Sequence, residues 1–446
     1  MERSRPTILR LRVFGLACGA SFLLYLHRYT WNLVGPKIQE EFGFSNTQAG
    51  ILFSLFYYTY AGGQIPSGLL VDRWGPHRFL SLIIAAWSAA IAAIGWTSDL
   101  VILGSLRLLF GAAQAGCYPA LTKVTRSWFP VAGRTVYQGW IATTAGRAGG
   151  ALSPIILGSL LMGSCGLSWQ TAVGLLGVIG VGYGALFWNL FRNSPGEHPG
   201  VNQAERDLIA HGSIARDASA PRTFLPAGRA WRSLSLRYFV VQQFLDAGSD
   251  VAFVSLIGTY FLQARGFDIT KTGWLASLPL WGGALGGIAG GWINDLLIHR
   301  TGRPRRVRSG VGCVGKVIGC VMLGFVARQE NGVAAGLVLM AAKFFSDWSQ
   351  PTVWGTCTDL GGRFSATVFA IINTAGTLGG VVMPVVFGLV LDAFTRRSES
   401  AGRMVAAIDW NPLFLLLAAM YLGSGLCWLL IDCTKSLDSE AAESVA

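Results

Sequence analysis

Apolar residues in this chain come in long blocks rather than in stripes. Runs of about 20 residues, the length a helix needs to cross a bilayer, alternate with short clusters rich in arginine. The blocks predict spans at 11–34, 47–71, 79–97, 99–122, 135–163 and 169–191, then at 236–262, 271–296, 309–327, 331–357, 364–392 and 411–432. The fold class predicted is an all-α membrane protein, with twelve transmembrane helices in two pseudo-symmetric six-helix bundles. The bundles occupy 1–191 and 236–432, joined by a linker over 192–235 and followed by a tail over 433–446. A large soluble helical protein would instead show continuous amphipathic stripes.

The first block needs a separate argument, because a basic start from Arg3 to Arg12 followed by an apolar run is also the pattern of a signal peptide. Here the run continues to Val34 through His27 and Arg28, and no small-residue cleavage site closes it. A retained first helix is expected. In the linker, Asn202 and Glu205 have capping-box spacing, which predicts a short surface helix running to about His211.

Composition narrows the class further. Hydrophobic residues make up 52% and charged residues 13%, against about 25% charged in a soluble domain. The net charge of +12 has no aromatic-interleaved basic face, so nucleic acid is not an expected partner. Lysine and arginine instead concentrate in the connections on the N-terminal side, which places both termini in the cytoplasm. The eight cysteines are scattered, with neither metal-ligand nor disulfide spacing, and no cofactor or metal is expected. No nucleophile–base set or phosphate loop is present, so an enzyme is not expected.

The halves repeat a signal. Gly68, Asp72, Arg73, Gly75 and Arg78 follow the second block, while Gly291, Asp295, Arg300, Gly302 and Arg303 follow the eighth. Duplicated halves are a mark of secondary transporters. At these residues the chain resembles the major facilitator superfamily, and more narrowly its anion:cation symporter branch. Further matches are Gln64-Ile-Pro66, Arg107 with Gly111 and Tyr118-Pro119, the segment Arg192 to Pro199, Gln263-Ala-Arg265-Gly266, and Asp359, Asn373, Gly376 and Pro384. The resemblance implies the major facilitator fold, with a site between the bundles and alternating access for a sugar acid or other carboxylate.

Arginines inside apolar blocks are functional candidates, since a charge in the membrane is costly unless it meets a partner or a wet cavity. Arg28 and Arg107 match positions where the branch holds the substrate carboxylate, a task that suits the planar guanidinium fork. The resemblance also implies Tyr60, Gln243, Asn373 and Trp354 as substrate-binding residues. Packing or interhelical hydrogen bonding is the competing reading of each. Asp72, Arg73, Arg78 and Asp295 are expected to gate by capping helix ends. Gly139, Gly146, Gly150 and Pro154 predict a small-residue stripe for close helix contact.

Two departures from the branch bear on coupling. Its helix-1 aspartate stands here as His27, and its helix-4 glutamate as Gln114. His27, Gln114, Asp246 and Asp250 are therefore the coupling candidates, with H⁺ or Na⁺ as co-ion. Asp246 or Asp250 is alternatively expected to neutralise Arg147, and Lys343 to pair with Asp347 on its own helix. The expected partners are a small organic anion and the lipid bilayer, with a monomer as default and a bacterial inner membrane as location. Exchange, uniport, a non-transporting sensor and drug efflux are the rival readings.

Overall fold

The computed structural model describes residues 5–97, 99–130, 134–210, 231–361, 365–400, 403–435 and 437. Each predicted span overlaps a helix, yet many spans are broken or rewound. The first is α1 (Leu9–Tyr29) followed by α2 (Trp31–Phe42), and the second and third run together as α3 (Asn46–Ile94). Then come α4 (Leu100–Ala115), α5 (Cys117–Trp128), α6 (Arg134–Gly139), α7 (Gly146–Pro154), α8 (Trp169–Leu190) and α9 (Gln203–Ala210). Beyond the linker lie α10 (Leu234–Ser255), α11 (Ile257–Thr259), α12 (Ile269–Thr301), α13 (Pro304–Val326), α14 (Gly332–Ser346), α15 (Ser349–Gly361), α16 (Ser365–Ala393) and α17 (Asn411–Leu430). Among the described residues, eight spans pass on length and apolarity, or nine if the bent stretch 234–264 counts as one.

Two compact units form, residues 1–34 with 55–221 and residues 35–54 with 222–446. In the first unit, α7 lies against α1 and is flanked by wider-wound turns at Trp140–Ala145 and Ile155–Ser164. The expected glycine stripe is only partly the right one. A Cβ on Gly149 would stand 2.1 Å from the Phe22 carbonyl oxygen and one on Gly146 2.8 Å from the Tyr25 ring, whereas Gly139 faces open space. Close approach is therefore set by Gly146 and Gly149.

The break in α3 falls at Gly75, at φ 75°. A Cβ there would also collide with the Asn193 amide, 2.6 Å away. That amide accepts the His77 backbone N–H at 2.8 Å, so the turn is pinned by the segment that ends α8. Arg73 and Arg78 flank the turn and are exposed, as is Asp295 in the second unit. The side chain of Asp72, expected to gate with them, lies outside the described residues.

The linker helix α9 departs from expectation. Asn202 caps it, accepting from the Glu205 N–H at 3.0 Å. Glu205, however, does not reach back to complete a capping box. Its carboxylate is fully buried, takes the Arg10 backbone N–H and guanidinium, each at 3.0 Å, and holds the Thr7 hydroxyl. A carboxylate is favoured there because it faces the positive end of α1.

In the second unit, α10 packs on α16, α13 on α17 and α12 on α14. Gly282 and Gly286 bring α12 onto α14, since a Cβ on either would meet a backbone oxygen at 2.3 or 2.0 Å. The start of α3 also belongs to this unit. Asp392 near the end of α16 accepts the Asn46 and Thr47 backbone N–H groups at 3.1 and 2.9 Å, and the Thr47 hydroxyl at 2.6 Å. A distant carboxylate, Asp392, thus caps the start of α3. After α16 comes an unpredicted hairpin of β1 (Thr395–Ser400) and β2 (Arg403–Ile408), with Thr395 opposite Ile408.

Candidate functional site

The first unit builds a cationic, aromatic site where α1, α3 and α4 meet. Gly111 makes the meeting possible, because a Cβ at that position would lie 2.1 Å from the Phe56 carbonyl oxygen. Thr59 ties the same contact by donating to the Leu108 carbonyl at 2.7 Å. Helix α4 consequently presents Arg107 and Gln114 towards α1 and α3.

Arg28 and Arg107 share the Phe56 ring, their guanidinium carbons lying 4.9 and 5.4 Å from its centroid. Arg28 also lies over Tyr60 at 4.7 Å and Tyr25 at 5.1 Å, while Arg107 lies over Trp31 at 4.5 Å. Tyr60 stacks on Phe56 at 5.4 Å. Such faces attract cations through the ring quadrupole. The Tyr60 hydroxyl interacts with the Arg28 side chain as well.

Gln114 is a polar partner of Arg28, whose Nε donates to the Gln114 Oε1 at 3.0 Å. The amide is held in turn by donating to the Leu24 carbonyl at 3.1 Å. Arg28 Nη2 is buried with no hydrogen-bond partner. A buried unsatisfied donor costs about 1–3 kcal/mol, and more when charged. His27, one residue away, looks elsewhere. It is 1% exposed, and its Nε2 lies 3.1 Å from the Leu176 carbonyl, against α8.

The second unit holds a buried ionic cluster on α10, α13 and α14. Lys316 Nζ pairs with Asp246 and donates to the Ser346 hydroxyl at 2.6 Å, and the side chains of both ions are wholly buried. Gln242 and Gln350 add donors to Asp246 at 3.3 and 3.2 Å. Lys343 bridges Asp250, at 2.7 Å, and Asp347. Asp246 and Asp250 are thus paired by Lys316 and Lys343. One expectation is corrected. The Lys343–Asp347 pair is not self-contained, because its lysine also reaches across to α10. Sequence reasoning missed Lys316 as the partner of Asp246, since the two are 70 positions apart.

Asp250 is the accessible member, its side chain 30% exposed against 0–7% for the other four ions. Gln243, on the same helix, packs by Gly376 and leaves Oε1 buried without a partner. Asn373 is exposed one turn before Thr377, which donates to the Asn373 carbonyl. Trp354 is 55% exposed and stacks on Phe369 at 4.7 Å. Of the residues proposed for substrate, Arg28, Arg107 and Tyr60 thus come together around Phe56. Gln243, Asn373 and Trp354 belong to the other unit.

Comparison with known proteins places the chain in a family. Residues 17–384 match the Major Facilitator Superfamily. The probable sulfoacetate transporter SauU of Cupriavidus necator is 30% identical over 387 residues, 86% of this chain and 87% of its own. The D-galactonate transporter of Escherichia coli is 28% identical, covering 83% of this chain and 87% of its own. Among solved structures, a bacterial homolog of the human lysosomal transporter Spinster aligns with a TM-score of 0.71 at 16% identity, covering 98% of this chain and 97% of its own. The nucleoside transporter NupG aligns at 0.66 with 12% identity, covering 95% and 99%. These two likenesses concern the fold.

Proposed function

We propose that this chain, which belongs to the major facilitator superfamily, is a permease for a small organic acid bound through its carboxylate or sulfonate at Arg28 and Arg107. The superfamily is one of membrane transporters rather than enzymes. The observation that carries the reading is Arg28 Nη2, a buried guanidinium donor with no partner. An anionic oxygen satisfies it, and a fork offers two parallel bonds. Because Gln114 is neutral, it leaves the Arg28 charge to the substrate. A hydrophobic drug pocket would not need the two arginines.

Transport is coupled to a cation in this proposal, and Asp250 is its binding group. Three aspartates, Asp246, Asp250 and Asp347, face two lysines, Lys316 and Lys343. An uncompensated buried charge costs several kcal/mol, and a proton or Na⁺ on the accessible Asp250 cancels it. The relatives' printed substrates, sulfoacetate and galactonate, support the anion class for this chain. Exchange, uniport and ligand sensing without flux remain the rivals, and one experiment separates them. Purified protein in liposomes is assayed for uptake of sulfoacetate and sugar acids, with and without imposed H⁺ and Na⁺ gradients. Gradient-driven accumulation that Arg28→Ala abolishes is expected. Binding without flux, or flux indifferent to both gradients, overturns the coupled reading. Absence of any anion binding overturns the substrate class.

A further inference from the structure

Between α12 and α13, at the end of the second unit where these helices join through Gly302, lies a groove of about 620 Å³. Its walls are apolar, with Leu297, Val311, Val314 and Trp348 among them, and its mouth carries Arg303 and Arg306. Positions 303, 306, 307, 310, 311 and 314 recur at the spacing of one helical face. That face therefore reads charge at the helix start and hydrocarbon below it. Leu297 and Val314 are 37% and 51% exposed, so the walls open outward.

The arginines of this stretch divide into two sets. Arg305 pairs with Asp432 at 3.1 Å and Arg308 with Asp359. Arg303 and Arg306, in contrast, are exposed, and no ion pair is recorded for either among the described residues. The start of α13 adds to their field, because no side chain caps its first turn and the N-terminal end of a helix favours anions.

We infer that this groove is a binding site for an anionic phospholipid, with the phosphate on Arg303 and Arg306 and an acyl chain along Leu297, Val311 and Val314. A basic head-binding mouth above an apolar channel between membrane helices matches the chemistry of that ligand. The site lies wholly within the second unit and is independent of the anion site at Arg28. Gly310 gives a way to block it, since its Cβ position has nothing within 4 Å. A leucine there starts from open space at its Cβ and enters the groove.

The test is native mass spectrometry of the purified full chain with equimolar dioleoyl phosphatidylglycerol and dioleoyl phosphatidylcholine. Wild type retains phosphatidylglycerol in preference. Each neutralised arginine is expected to cut that preference about fivefold, the equivalent of about 1 kcal/mol per basic residue at an anionic surface, in Arg303→Gln, Arg306→Gln and their double variant. Gly310→Leu lowers retention of phosphatidylglycerol while thermal unfolding stays as in wild type. Arg300→Gln removes the same charge from the neighbouring helix end and leaves the preference intact. A preference unchanged in both the double variant and Gly310→Leu overturns the site. So does an equal loss in Arg300→Gln, which would indicate only general surface charge. Equal competition by inorganic phosphate or by dihexanoyl phosphatidylglycerol would overturn the assignment to lipid.

Discussion

Arg28 and Gln114 are joined by a single hydrogen bond of 3.0 Å from Nε to the amide oxygen, which leaves one end of the guanidinium fork buried and unsatisfied. The arrangement makes Arg28 a charge waiting for its counter-charge. Replacing it by alanine is expected to weaken binding of the transported acid by about 2–5 kcal/mol, the cost of removing one partner of a buried charged pair. Arg28→Lys should fail to restore it, because an ammonium cannot make the paired contacts of the fork. Isothermal titration with the substrate found in the uptake screen measures both, and wild-type affinity in either variant removes Arg28 from the site.

Gln114→Glu tests the same bond from the other side. A carboxylate at that position would neutralise Arg28 and compete with the substrate. Affinity should then fall as pH rises through the new group's titration and recover as pH falls, because protonation returns a neutral partner. Binding measured across pH 5–8 gives the answer. Affinity that increases with pH would mean that Arg28 does not hold the anion.

The two aspartates of α10 should separate by phenotype. Asp246→Asn leaves Lys316, wholly buried, without its counter-ion, and a loss of about 3–5 kcal/mol in stability is expected. Asp250→Asn leaves Lys343 its Asp347 contact, so the protein should fold while accumulation no longer follows the cation gradient. Thermal unfolding and gradient-driven uptake distinguish the two. An Asp250→Asn protein that couples as wild type does removes this cluster from coupling.

Asp392→Ala strips the cap from the first residues of α3. Losing a helix N-cap costs about 0.5–2 kcal/mol, and here both backbone N–H groups and the Thr47 hydroxyl lose their acceptor. A lowered unfolding temperature is expected, with Asp392→Asn intermediate because its single carbonyl can replace only part of the set.

A valine at Gly149 should prevent folding, since the backbone oxygen of Phe22 occupies the space its Cβ requires. Gly139→Ala should fold normally. Expression and monodisperse elution of the two variants check the assignment of the close contact.

Much of this was legible in the sequence because membrane spans announce themselves by length alone. The helix breaks were not, because Thr30 and Gly116 interrupt blocks that are apolar on both sides. Arg28 and Arg107 stood out as charges inside apolar runs, and Tyr60 joined them through a motif. Long-range pairing was the blind spot. Lys316 and Asp246, Glu205 and Arg10, and Asp392 and Thr47 are each separated by tens to hundreds of positions, and no local period relates them. The hairpin 395–408 escaped for another reason. Its strand Thr395–Ser400 carries polar and charged residues in succession, with none of the alternation that marks a half-buried strand.

The Glu205 carboxylate also imposes an order in time. The backbone amide it holds at Arg10 lies 195 positions earlier in the chain. At about 5–20 residues per second of synthesis, the start of α1 waits roughly 10–40 s for its anchor. Throughout that interval the first helix must be kept in place by the membrane and its neighbours alone. Arrival of Glu205 then locks the opening turn just as the last helix of the first half has been made, before any of the second half has emerged from the ribosome.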